Sequence, residues 1–341
     1  GTTFHGDGRE QELARHLQSR QAELQNDPQA VLDAIDAFGR EKYLMNVGGP
    51  KAVLVEDIIC QRQPKVCAFE RFRLLCVVET NNGQLVLELG TYVGYSAIAF
   101  GRHLKTLHPD GVAPSSWSSL PSHTSDTTHP RIGYFCVEQS TEYAAVAQVG
   151  IDIAGLGDVV KVIVGPSSTT LRELRKTLAL PADAQVDMVF LDHYKPLVSQ
   201  SLYHCRRLDD TCFRLYTTDV KILEQDGLIG IGTTLVADNV IKPGNPAYLA
   251  YVRASPALKR RALAEKVSVV ELAPELAQPK HRYNNSVKRS MNTGYEGNEQ
   301  ETGDEHGVPE WVYASELLES WDPYTAEPDG VEVSRIIGRD D

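Results

Sequence analysis

The chain has no dense basic run. Its 341 residues carry 46 acidic against 34 basic side chains, a net charge near −12, and the tightest cationic cluster is the short Lys259–Arg261. Binding along a phosphate backbone needs a positive surface, so nucleic acid is disfavoured as a main partner. The six cysteines, Cys60, Cys67, Cys76, Cys136, Cys205 and Cys212, form no Cys-x-x-Cys pair. A disulfide scaffold is normally smaller and denser in cysteine, so reduced thiols in a cytoplasmic protein are expected. No apolar run approaches the roughly 18 residues of a membrane span, and no signal-peptide pattern opens the chain, so stable membrane insertion is not expected. The spacing also lacks a G-x-G-x-x-G dinucleotide fingerprint and any recognisable Ser-His-Asp arrangement.

What the chain does have is a repeated strand-helix alternation. Leu13, Leu17 and Leu24, then Val31, Ile35 and Phe38, predict amphipathic helices before any strand, and a helix-like stretch follows YLMNVGG (43–49) as far as Cys60. Strands are then expected at 84–90, 132–138 and 159–165, with helices from about Tyr95, Thr141 and Ser168. Two further apolar strands end in DMVFLDHYK (187–195) and TTLVADN (233–239), and Val331, Val333 and Ile336 suggest a late edge strand or hairpin. This rhythm predicts an α/β, Rossmann-like, seven-stranded, mostly parallel sheet with helices on both faces. A single domain over 1–341 is expected, with helices at about 9–62, a sheet core at about 84–272 and a variable region at 273–341. Excursions are expected at 67–83, 107–130 and 196–216, and 281–310 has little to bury.

The strand ends carry the chemistry. Asp192 closes one strand, and Asp238 with Asn239 closes another, at the edge where such sheets bind ligands. Two carboxylates and an amide carbonyl suit a hard cation such as Mg²⁺ and leave about three octahedral positions for water and substrate oxygens. The LELGTYVGYSA segment (87–97) puts Glu88, Gly90, Gly94, Tyr95 and Ser96 at a strand-to-helix junction. Taken alone, that junction fits a structural turn, a methyl-donor site or a nucleotide phosphate site. Glu138 ends the next strand, where a carboxylate can accept the ribose hydroxyl protons of an adenosine cofactor.

MNVG (45–48), LELGTYVGYSA (87–97), VFLDHYK (189–195) and ADNVIKPG (237–244) together resemble the catechol O-methyltransferase family, over roughly residues 10–272 outside the excursions. The resemblance implies a class I methyltransferase fold and transfer of a methyl group from S-adenosylmethionine (SAM) to one hydroxyl of a Mg²⁺-chelated catechol. It implies Asp192, Asp238 and Asn239 as metal ligands and Lys195 as general base. The cofactor would be held by Met45, Asn46, Val47, Gly48, Glu88, Gly90, Tyr92, Tyr95, Ser96, Glu138, Ser167, Ser168 and His193. Tyr43, Tyr194, Lys195, Asn239, Pro243 and Asp322 would meet the substrate.

Two departures from the family pattern bear on the substrate. Tyr43 and Tyr194 stand where the familiar animal enzyme has tryptophan, which changes pocket width and adds hydroxyl groups. The substrate-orienting glutamate falls in a gapped region, with Asp322 and Glu327 as its candidates. An inactive cofactor-binding or interaction protein of the same fold and a nicotinamide-dependent oxidoreductase are the alternative readings. A monomer is favoured.

Overall fold

The computed structural model describes residues 7–61, 83–114, 131–192, 209–279, 305–321 and 327–340. They form two compact units divided after Asp192.

The first unit opens with α1 (Arg9–Ser19), α2 (Gln21–Leu24), α3 (Pro28–Glu41) and α4 (Gly48–Gln61), all before the first described strand, as the apolar spacing predicts. Asp27 starts α3: its Oδ1 accepts from the Ala30 amide at 3.0 Å, and Pro28 supplies a fixed φ at the first helical position. Then come β1 (Gly83–Leu89), α5 (Tyr95–Leu107), β2 (Arg131–Glu138), α6 (Thr141–Ile153), β3 (Val160–Val164), α7 (Ser167–Thr177) and β4 (Met188–Leu191). The spatial order is β3-β2-β1-β4, and every pair is parallel.

Strands β2 and β4 are buried almost from end to end, which is why their sequences read as continuous apolar runs rather than alternations. Phe100 of α5 fixes the packing over the sheet, with its ring edge-on to Phe190 of β4 at 5.4 Å. The chain steps outward from β1 through β2 to β3 and crosses back through α7 to β4. The carboxyl ends of β1 and β4 therefore flank a topological switch point, where open α/β sheets bind ligands.

The second unit contains α8 (Asp209–Gln225), β5 (Thr234–Ala237), α9 (Pro246–Arg253), α10 (Pro256–Glu265), α11 (Val269–Leu272), β6 (Trp311–Trp321) and β7 (Pro328–Arg339). β7 runs antiparallel to both β5 and β6. The seven strands are thus mixed in direction, and the fold is α/β and Rossmann-like with helices on both sides.

Three expected boundaries shift. Helix α8 begins at Asp209, inside the excursion expected at 196–216. The sheet continues to Arg339, well past residue 272, and β6 was not foreseen. Residues 305–310 are fixed rather than loose, because the Val308 amide donates to Glu224 Oε2 at 2.7 Å. The excursion expected at 67–83 lies outside the described residues except for Gly83, and 115–130 lies outside them too.

Buried ionic contacts hold the second unit's late strands. Glu332 of β7 is wholly buried and receives Arg253 Nε at 2.6 Å and Nη2 at 2.7 Å, while Arg253 Nη1 also donates to the carbonyls of Leu276 and Gln278. Removing one member of such a pair strands a buried charge, which costs about 3–5 kcal/mol, whereas replacing both with apolar groups is close to neutral. Arg253→Ala should therefore lower the urea midpoint sharply, and Arg253→Met with Glu332→Leu should recover most of it. Equal midpoints for the single and double variants would show that a stranded Glu332 charge is not what the single substitution costs.

Candidate active site

The turn between β1 and α5 is built from left-handed backbone. Gly90, Tyr92 and Gly94 have φ of 91°, 51° and 85°. Gly94 has no room for a side chain, since a Cβ there would lie 3.0 Å from the Ala147 backbone. The turn's amides converge on one carboxylate: Glu138 Oε2 accepts from the Thr91 amide at 3.1 Å and the Tyr92 amide at 2.8 Å. Its Oε1 accepts from the Ser140 amide at 2.8 Å. A carboxylate offers about four acceptor positions, so Glu138 retains capacity for roughly one further donor.

Glu88, the sixth residue of β1, is buried beneath this turn. Its oxygens accept from the Ser96 hydroxyl and, at 2.9 Å, from the Thr91 hydroxyl. Burial pushes the Glu88 carboxyl up to about 7, against hydrogen bonds from Ser96, Thr91 and Cys136 that pull it down. Glu88 and Ser96 are therefore brought together, and part of each side chain's hydrogen bonding is directed at the other.

The segment Tyr43–Gly48 runs from the end of α3 to the start of α4. Arg9 Nη1 donates to the Tyr43 carbonyl at 2.6 Å, which ties the segment to α1. Met45 and Asn46 are half-buried and Val47 is buried. The Asn46 Nδ2 is buried with no hydrogen-bond partner among the described residues. Such a donor suits a ligand carboxylate or carbonyl, and with the glycine turn and the residual capacity of Glu138 it fits a cofactor bearing amino-acid and ribose groups. Ser167 and Ser168 are half-buried at the first turn of α7.

Two tyrosines brace the turn from outside. Tyr92 donates its hydroxyl to Glu10 Oε1 at 2.8 Å and meets Tyr143 edge-on at 5.1 Å. Burial and the Glu10 charge hold the Tyr92 phenol far above its ordinary range, so it remains a neutral donor. Tyr95 faces α3 instead, donating to Asp36 at 3.2 Å. Glu10 was not singled out in the sequence. It is a buried carboxylate on an amphipathic helix, on the same buried face as Leu13 and Leu17, and nothing in its spacing distinguishes it from an exposed one.

Asp192 follows β4 in the first unit, with its amide donating to the Leu89 carbonyl at 2.9 Å. In the second unit Asp238 is buried after β5, and its Oδ1 accepts from the Asn239 amide at 2.6 Å. Asn239 is left-handed, with φ 57° and ψ 33°, and its Nδ2 donates to Asp329 Oδ2 at 3.0 Å. These donors are oxygen throughout, the chemistry a hard cation requires. Among the described residues no group of three or more His, Cys, Asp and Glu side chains is placed to hold a metal ion. The expected set has two carboxylates and one carboxamide.

Pro243 is exposed in the π-type turn Val240–Gly244. Glu327 forms an exposed ion pair with Lys242. His193, Tyr194, Lys195 and Asp322 lie outside the described residues. Asp329 was missed by sequence reasoning, and its only local signal is the Pro-Asp-Gly step that opens β7.

The Glu88 environment has a measurable consequence. Its folded value of about 7 lies above the ordinary 4.5, so the folded state holds the proton more tightly. The resulting stability is full below pH 4.5 and is lost as pH rises through 7. The shift corresponds to on the order of 3 kcal/mol across that window. Glu88→Gln, which cannot titrate, should flatten the fall in urea-measured stability between about pH 4.5 and about pH 7.5. An unchanged slope would show that Glu88 is ionised in the folded protein.

A family model described as a methyltransferase domain matches residues 87–212. Catechol O-methyltransferase of Mus musculus is 34% identical over 251 residues, covering 73% of this chain and 70% of that protein. The Bos taurus protein of the same name is 31% identical over 249 residues, covering 73% and 67%. Among solved structures, the O-methyltransferase TomG of Streptomyces achromogenes, in complex with SAM, aligns over 95% of this chain and 96% of its own at 16% identity, with a TM-score of 0.43. The sequence likeness decides against the nicotinamide-dependent alternative. With a third of the residues shared with the mouse protein over most of both lengths, the chain belongs to the catechol O-methyltransferase family of SAM-dependent O-methyltransferases.

Proposed function

We propose that the protein is a Mg²⁺-dependent enzyme that methylates one hydroxyl of a catechol. What supports this reading is the chemistry after β4 and β5, where Asp192, Asp238 and Asn239 carry carboxylate and carbonyl oxygens that could serve a hard cation. When bound, SAM supplies a sulfonium methyl group, and Mg²⁺ supplies a positive field that favours the phenolate of a substrate with adjacent hydroxyls.

Glu138 would accept one ribose hydroxyl through its remaining capacity. Asn46 Nδ2 would donate to the methionine portion of the cofactor, with Met45, Val47 and Gly48 shaping the wall around it. Gly90, Tyr92, Tyr95, Ser167, Ser168 and His193 complete the proposed cofactor set, while Glu88 and Ser96 brace the turn through each other. Lys195 would take the phenol proton at Nζ, for which it must be neutral. Nearby positive charge lowers a lysine's affinity for its proton and makes that form accessible near neutrality. Tyr43, Tyr194 and Pro243 would flank the aromatic ring, and Asp322 would orient its second hydroxyl. Methyl transfer from a sulfonium to a phenolate disperses opposite charges, so the apolar parts of these residues would help by excluding water.

The same proposal makes the protein a cytoplasmic, single-domain monomer acting on a small molecule. It is supported by the acidic charge balance and by Cys136, which is buried in β2 as a thiol.

Turnover should require adjacent hydroxyls and a divalent cation. A catechol should be methylated and its monohydroxy analogue should not, and chelation should stop the reaction. Equal, metal-independent turnover of both compounds would contradict the reading. Lys195→Ala should reduce kcat about 10²- to 10⁴-fold while leaving calorimetric SAM binding intact. Unchanged turnover in that variant would assign the base elsewhere.

A further inference from the structure

We infer that Asp329 is a positioning residue that sets which end of the Asn239 amide faces the cation, an inference that rests on the metal reading above. Asp329 is only 3% exposed near the start of β7. Its Oδ2 accepts from Asn239 Nδ2 at 3.0 Å and its Oδ1 accepts from the Lys242 amide at 3.1 Å. Both Asp329 oxygens act as acceptors here, so the amide nitrogen turns toward Asp329 and the carbonyl oxygen turns away.

That choice matters because the two ends of a carboxamide are nearly the same size but opposite in polarity. A hard cation binds the oxygen and is repelled by the NH₂ group. The Asn239 backbone does not make the choice, because φ 57° and ψ 33° fix where the side chain starts but leave its terminal rotation open. The close approach of β7 is permitted by Gly330, where a Cβ would lie 2.7 Å from the Leu318 carbonyl and 3.1 Å from Ile241. Asp329 therefore reaches the turn after β5 from a strand ninety residues away and controls the orientation of a ligand it does not replace. Partners of this kind typically change metal affinity about 10- to 100-fold when lost.

The competing explanation is that Asp329 merely clips the turn through the Lys242 amide. Asp329→Asn separates the two roles. Its carbonyl can still accept from Lys242, but its NH₂ then faces the NH₂ of Asn239, and with the Lys242 bond kept that clash is relieved only when Asn239 rotates and presents nitrogen to the cation. The full-length variant should keep the melting temperature of the metal-free protein and bind Mn²⁺ about 10- to 100-fold more weakly by electron paramagnetic resonance titration, with Mg²⁺ calorimetry agreeing. The exchange Asn239→Asp with Asp329→Asn restores donor against acceptor, since one oxygen of the introduced carboxylate accepts from the introduced amide and the other meets the cation. That double variant should recover most of the lost affinity.

Unchanged Mn²⁺ affinity in Asp329→Asn would overturn the inference while leaving the metal site standing. So would failure of the exchange to restore binding in a protein that melts normally. Absence of Mn²⁺ and Mg²⁺ binding in the unsubstituted protein would overturn this inference together with the metal reading on which it rests.

Discussion

The first unit depends on the Glu138 carboxylate. A turn that passes through three left-handed residues points successive amides inward, and buried amides without acceptors cost about 1–3 kcal/mol each. One side chain answers two of them, from Thr91 and Tyr92, and also accepts from the Ser140 amide beyond β2. Because Glu138 ends β2 and the turn leaves β1, the carboxylate also fastens two neighbouring strands at their carboxyl ends. Beneath it, Glu88 repeats the arrangement with hydroxyl donors. The junction between β1 and α5 is thus built on two carboxylates, Glu138 with capacity for a further donor and Glu88 closed over by Ser96 and Thr91.

The second unit is held by a different balance. Glu224 is buried among the hydroxyls of Tyr251 and Tyr313 and the Val308 amide. Lys259 is buried beside it, 4.7 Å from the Tyr251 ring centre and 4.4 Å from that of Tyr313. Desolvation lowers the Lys259 ammonium to about 8, with the Glu224 charge opposing the shift. Together with Arg253 and Glu332, these groups fasten β6, β7 and the segment before them to α8, α9 and α10 through directional contacts. Such contacts specify register more sharply than apolar packing, since each donor has one acceptor that suits it.

The parts of the fold legible in the sequence are those whose signal is local. β1, β2 and β4 announce themselves as apolar runs because they are covered on both faces. α5 and α6 begin where glycine and serine make helix starts. β6 was not legible because, among the described residues, it pairs only with β7 and is half-exposed along most of its length, so WVYASELLESW has neither a clean alternation nor an apolar run. α8 was obscured by a polar first turn, Asp209-Asp210-Thr211. Glu138, Asp238 and Asn239 stand out in the sequence because they close apolar strands, and the structure places them at those strand ends. Asp329 and Glu10 do not, because their roles arise from pairing between distant segments, and each looks like an ordinary surface carboxylate in its own neighbourhood.

The left-handed backbone at Asn239 narrows what evolution or an engineer can put there. Glycine would relieve the conformation but bring no side-chain oxygen and no donor for Asp329. Aspartate tolerates the conformation and offers oxygen, yet sets a second carboxylate against Asp329. Larger or β-branched residues would be strained before any question of chemistry arose. Of the twenty residues, asparagine alone satisfies the backbone, supplies a carbonyl oxygen and donates to Asp329, so this position has almost no mutational freedom unless position 329 changes with it.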